Sequence, residues 1–303
     1  MNNNLASIDL GDFLITPIEP FSYLGSNYFI KREDLSGGLF NGIKQRKIQG
    51  LLAFIKQKRP KKIALKGSLY SNFLLAIVPE LIKEKIPFDL YTKRLSGIKP
   101  IGNFYFLSFF INSSQIHPLS DLPLDDPDCL IIEEGGDQPA GYLGLLSLGD
   151  EILNQLKENN LEIENIWIDA GTGSTAACLA YSLSKYSSNI KLHIVSMKEE
   201  KPAFDAKVDA IFSILNAHFD LNLKNEKTYQ FYRPKSAKAF GSTNTKIFQE
   251  IQKTAHESGV LFDPIYSIKM LIEMQEHLTK APTLLIHSGG TLSLSGFELP
   301  HNR

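Results

Sequence analysis

A few short segments carry residue types that could act together on a small ligand. Gly171-Thr172-Gly173-Ser174-Thr175 places two glycines and three hydroxyl residues in five positions. Glycines let the backbone approach an anion, and a following helix turns its unpaired N–H groups and positive dipole end toward it. A plain strand–helix turn needs no such density, so the run reads as a phosphate loop. The motif alone does not say which phosphate, and it also fits the weak GxGxxA form of a dinucleotide fingerprint. Ser71-Asn72 opens a predicted helix, and spacing alone favours capping; an amide and a hydroxyl facing a ligand is the sharper alternative. Lys44 follows Ser36-Gly37-Gly38 within Asn41 to Lys47. By itself it reads as the exposed basic start of a helix. A lysine that bonds a carbonyl needs desolvation and neighbours that lower its pKa, which sequence does not reveal. Asp263-Pro264-Ile265-Tyr266 reads as a Pro-led turn, or as a tyrosine hydroxyl offered to a ligand.

The elements that must position these residues alternate. Strands are expected at Lys62–Leu65, Pro87–Tyr91, Leu130–Ile132, Asn165–Asp169, Ile190–Ser196 and Thr283–His287. Helices are expected at Phe73–Lys85, with Pro79 kinking or splitting it, and at Tyr142–Glu158, Ala176–Ser187, Thr245–Glu257 and Ile268–Leu278. Such alternation predicts α/β architecture with parallel sheets. Ligands of parallel sheets bind at the carboxyl ends of strands. Four Gly/Ser-rich turns fall there: Gly67 to Asn72, Gly135-Gly136, Gly171 to Thr175, and Ser288 to Gly290.

Bulk properties narrow the partners. Among 303 residues, 43% are hydrophobic and 21% charged, with a formal net charge of -1. Length and composition suit two domains or one large α/β unit. No strong field exists to recruit nucleic acid or an anionic membrane. The start, Met1-Asn2-Asn3-Asn4-Leu5, does not read as a signal peptide, and the apolar run Phe104 to Ile111 is too short to span a bilayer and reads as buried. A cytoplasmic protein is expected. Cys129 and Cys178 read as small buried residues, and no Cys/His spacing suggests a metal site.

Taken in order, the segments resemble the family of 1-aminocyclopropane-1-carboxylate deaminase and D-cysteine desulfhydrase, among the fold type II (tryptophan synthase β-like) pyridoxal phosphate enzymes. Lys31-Arg32-Glu33-Asp34-Leu35 is similar to its KRED-L opening, and Gly42-Ile43-Lys44-Gln45-Arg46-Lys47 to its GGNKxRKL segment. Ser71-Asn72, Glu134-Gly135-Gly136 (with Gly141 and Glu151-Ile152), Thr172 to Thr175, Asp263 to Tyr266 and His287-Ser288-Gly289-Gly290 resemble its later motifs. The resemblance implies pyridoxal 5'-phosphate on Lys44, which would also shuttle the proton at the substrate α-carbon. It implies Asn72 at the cofactor's phenolic oxygen, Ser71 by the substrate carboxylate, and Gly171, Thr172, Gly173, Ser174 and Thr175 on the phosphate. Tyr266 would lie against the substrate. Ser288 would face the pyridine nitrogen, where a hydroxyl is less able than a carboxylate to keep that nitrogen protonated. It further implies two interleaved domains, each with a mostly parallel sheet flanked by helices: 1–47 with 150–303 as the large cofactor-binding domain, and 48–149 as the small one. The cofactor would lie in the cleft, and a homodimer is implied.

The departures from the family pattern bear on the reaction. Ile43 replaces an Asn, Phe73 a His or Gln, Phe240 a tyrosine, and Ser267 the deaminase's Glu at the pyridine nitrogen. Three of these exchange a polar group for an apolar one, which disfavours the cyclopropane deaminase. A desulfhydrase-type β-elimination from a small amino acid, giving pyruvate, ammonia and sulfide, asks less of the site, because thiolate leaves without an acid. The alternative is a divergent cofactor-binding member with weak or different activity. A nucleotide-binding oxidoreductase ranks last, because no acidic residue stands directly at the end of Ile190–Ser196 for a ribose.

Overall fold

A computed structural model describes residues 10–11, 15–40, 42–236, 239–277 and 280–298. Met1 to Leu5, Asn41 and Leu278 lie outside them, and with them the reading of the chain's start. In chain order the strands and helices are β1 (Ile18–Tyr23), β2 (Ser26–Arg32), α1 (Lys44–Lys58), β3 (Lys62–Lys66), α2 (Asn72–Lys83), β4 (Phe88–Thr92), α3 (Asn103–Leu107), β5 (Ile116–Pro118), β6 (Cys129–Ile132), α4 (Pro139–Glu158), β7 (Asn165–Ala170), α5 (Ser174–Lys185), β8 (Lys191–Ser196), α6 (Lys201–Phe219), β9 (Gln230–Tyr232), α7 (Thr245–Ser258), α8 (Ser267–Gln275) and β10 (Thr283–His287). The fold is α/β, with mostly parallel sheets flanked by helices.

The chain divides into two compact units. The first comprises Met1–Asp12, Lys44–Gly144 and Leu292–Glu298; the second comprises Phe13–Ile43, Leu145–Thr291 and Leu299–Arg303. In the first unit, four parallel strands run in the order β5-β4-β3-β6. Every residue of β4 is buried, as expected for a parallel strand covered on both faces. Helices α1 and α4 meet through glycines. A side chain at Gly50 would strike the Ala140 carbonyl, and one at Gly144 the Arg46 carbonyl, so only hydrogen fits. Pro79 is buried inside α2 without splitting it.

In the second unit the order is β1-β2-β10-β7-β8-β9, parallel except for the β1–β2 hairpin. Strands β7 and β10 are buried throughout. The hairpin turn is Leu24-Gly25, both at positive φ (53° and 71°), the geometry that two-residue hairpins favour. Leu-Gly is a poor signal for it, and sequence reading missed the hairpin. It also missed α6, although Phe204, Val208, Ile211, Phe212 and Leu215 mark one buried helical face. Lys31 is wholly buried and paired with Glu151, while its Nζ also donates to Gln155 Oε1 at 3.0 Å. Glu33 is buried as well and accepts from the Thr16 hydroxyl at 2.6 Å. Lys31 and Glu33 of this motif therefore fasten the carboxyl end of β2.

Two sequence expectations need correction. The run Phe104 to Ile111 is not buried throughout: Tyr105 is 49% exposed and Phe109 71%. Its helix is five residues long, too short to turn every apolar side chain inward. Cys129 is only half-buried, whereas Cys178 is buried; both are free thiols. No helix among the described residues is long and apolar enough to cross a membrane. No group of three or more His, Cys, Asp or Glu among them could hold a metal ion.

Candidate active site

All four Gly/Ser-rich turns follow the carboxyl ends of parallel strands: β3, β6, β7 and β10. In the second unit, Gly173 caps α5 in the left-handed conformation (φ 86°) and, as a glycine, offers no side chain to the first-turn amides. The Thr172 and Ser174 hydroxyls approach to 3.1 Å. Lys207 Nζ, from α6, donates to the Thr172 carbonyl at 2.6 Å, which sets a cation beside the loop. A glycine-capped helix start, converging hydroxyls and a nearby cation are the donor set that a phosphate dianion requires. The residues present therefore fit a phosphorylated cofactor.

Tyr266 is brought to this loop. Its ring lies so close to Gly171 that a Cβ there would sit 3.0 Å from Cε1. The turn carrying it is built on Asp263, which is buried and accepts N–H bonds from Ile265 (2.9 Å), Tyr266 (2.7 Å) and Ser267 (2.8 Å). The Phe240 ring stands 6.0 Å from Tyr266, edge-on, and is 52% exposed.

Ser288 leaves β10 beside β7. Its hydroxyl donates to Asp169 Oδ1, and the Ser267 hydroxyl donates to the same oxygen at 3.3 Å. Sequence reading gave no role to Asp169, which lies two positions before the phosphate loop. The Ser288 carbonyl accepts the Ile43 N–H at 3.0 Å. Gly42 is pressed against this strand end, where a Cβ would come within 2.6 Å of the Ser288 oxygen, and its φ is 115°. Ile43 is thereby a buried anchor of the strand end, and Lys44 is the next residue in the chain.

In the first unit, half-buried Lys44 begins α1. Ser71 caps α2, accepting from the amides of Phe73 at 3.1 Å and Leu74 at 3.4 Å. Capping uses lone pairs, so its proton is left to donate. Asn103 Nδ2 donates to Asn72 Oδ1 at 2.5 Å, which occupies the amide oxygen and leaves the NH2 as the Asn72 donor. Asn103 carries no motif, and its role was not legible in sequence. Phe73 is a core residue: it is 1% exposed, and a Cβ on Gly136 would lie 2.7 Å from its ring. The apolar replacement there belongs to packing.

No family model matches the chain. It is 24% identical to the D-cysteine desulfhydrase of Serratia proteamaculans, over 93% of both chains. It is 23% identical to the bifunctional D-cysteine desulfhydrase/1-aminocyclopropane-1-carboxylate deaminase of Arabidopsis thaliana, over 89% of this chain and 74% of that one. A solved 1-aminocyclopropane-1-carboxylate deaminase homologue superposes with a TM-score of 0.81 at 20% identity, over 98% of this chain and 96% of that one.

Proposed function

We propose, from its similarity to 1-aminocyclopropane-1-carboxylate deaminases and D-cysteine desulfhydrases, that the chain is a pyridoxal 5'-phosphate-dependent lyase of small amino acids, with β-elimination from D-cysteine as its reaction. When bound, pyridoxal phosphate supplies an aldehyde for the substrate amine and a ring that withdraws electrons from the α-carbon. Lys44 Nζ would hold the aldehyde carbon. The 171–175 loop would hold the phosphate through its amides and hydroxyls. Asn72 Nδ2 would donate to the phenolic oxygen, and the Ser71 proton would go to the substrate carboxylate.

Once the substrate amine had displaced it from the aldehyde carbon, Lys44 Nζ would take the proton from the substrate α-carbon, and thiolate would leave the β-carbon with its electron pair. Water then converts the released aminoacrylate to pyruvate and ammonia. The Ile43 N–H bond to the Ser288 carbonyl supports this reading most, because it ties the chain one residue before the proposed lysine to a proposed ring-binding turn.

The test is to supply D-cysteine, L-cysteine, D-serine and 1-aminocyclopropane-1-carboxylate separately. Pyruvate and sulfide from D-cysteine, lost in Lys44→Ala, are expected. Cofactor uptake without pyruvate from any of the four would support the second reading, a divergent cofactor-binding member. Phe240 is the observation that favours this alternative, since its ring beside Tyr266 has no hydroxyl to offer.

A further inference from the structure

We infer that Asp169 is a positioning residue that keeps the cofactor's ring nitrogen protonated by acting through Ser288. The inference rests on the cofactor reading above and adds a carboxylate that the family motifs do not contain.

A serine hydroxyl has one proton and two lone pairs. The Ser288 proton is directed to Asp169 Oδ1. The Ser267 hydroxyl, from the first residue of α8, donates to the same oxygen at 3.3 Å, and the two serine oxygens are 3.3 Å apart. Two hydroxyl donors converging on one carboxylate oxygen are the pattern of an ionised, acceptor-only group. Asp169 is 8% exposed, so its bond to Ser288 is charge-assisted and shielded from water. With its proton committed, Ser288 meets any further partner as an acceptor only. A ring nitrogen placed against an acceptor must bring its own proton. Asp169 supplies the compensating negative charge one hydroxyl away.

The consequence reverses part of the sequence reading. By the family resemblance, Ser267 stands where the deaminase has a Glu. The missing carboxylate is supplied instead from the end of β7, with Ser288 between it and the ring. The electron-withdrawing capacity of a protonated pyridine is retained.

The holoenzyme is reconstituted with pyridoxal 5'-phosphate labelled with nitrogen-15 in the ring, and its nitrogen NMR shift is recorded. Wild type is expected at the protonated-pyridine value. Asp169→Asn should move to the unprotonated value, because an amide donates to Ser288 and turns the serine proton toward the ring. Asp169→Glu should return the shift toward wild type, and Ser267→Ala should keep it. If Asp169→Asn does not fold, Ser288→Ala decides: removing the intermediate hydroxyl should give the unprotonated value. An unprotonated wild type, or a protonated signal in whichever of Asp169→Asn and Ser288→Ala is read, overturns the inference while leaving cofactor binding intact. Failure of the wild type to take up cofactor overturns the underlying reading instead, and is scored separately from the shift.

Discussion

The turns after β3 and β6 in the first unit and those after β7 and β10 in the second are written in the same residues, yet their side chains are spent differently. In the first unit the Ser71 hydroxyl caps α2, and Gly136 gives way to the ring of Phe73. In the second unit Gly173 caps α5 without any side chain. Thr172 and Ser174 face each other, and Ser288 is backed by a carboxylate. A glycine–serine turn at a strand end is thus ambiguous until the partner of each hydroxyl is known. Where a side chain caps the helix the turn serves mainly the fold; where a glycine caps it the turn can serve a ligand.

The largest expected effect that would break this contrast concerns the glycine-capped turn. Replacing both Ser174 and Thr175 by Ala should weaken pyridoxal phosphate binding by roughly 10²- to 10⁴-fold, since hydrogen bonds to charged groups contribute about 1.5–3 kcal/mol each. A cofactor titration monitored by absorbance checks this. An unchanged affinity would place the phosphate elsewhere.

A second prediction concerns what fastens α8, the helix that follows Tyr266. Lys269 is 1% exposed and its Nζ donates to the Ser242 carbonyl at 2.8 Å. Burial pushes its pKa down to about 8. A lysine depressed in the folded state weakens the fold fully below pH 8, and that penalty fades as pH rises toward its ordinary value of about 10.4. Relative to Lys269→Met, the wild type should therefore gain on the order of 3 kcal/mol between those limits. Chemical denaturation of both proteins across this range measures it, and parallel curves would contradict it.

Smaller effects belong to the closed turns. Gly136→Ala should cost about 1–3 kcal/mol by overpacking against Phe73, with part of the loss recovered by Phe73→Leu in the double mutant. Ser71→Ala should cost about 1 kcal/mol through the lost cap, seen in urea unfolding of the apoprotein. If Ser71→Ala left stability unchanged while abolishing cofactor uptake, the contrast between the two pairs of turns would fail.

Much of this was legible in the sequence because its signals are local. The buried strand Asn165–Ala170 and the glycines behind it needed only composition and order to be recognised. The hairpin escaped because Leu24 adopts a positive φ that leucine seldom takes. Phe109 was misplaced because an apolar run does not say where its helix ends, and Phe109 lies in the exposed turn beyond α3. Asp169 escaped because its partner Ser288 is 119 positions away and reaches it only through the pairing of β7 with β10. Lys207 is distant in the same way, lying 35 positions beyond Thr172. Sheet order, which motifs do not encode, supplied the carboxylate behind the serine.

The point of covalent attachment tests the account most directly. Protein supplied with pyridoxal 5'-phosphate is reduced with borohydride, digested, and its peptides mapped by mass spectrometry. The account predicts a stable pyridoxyl group on Lys44 and its absence in Lys44→Ala. A group fixed to a different lysine, or to none, would contradict it.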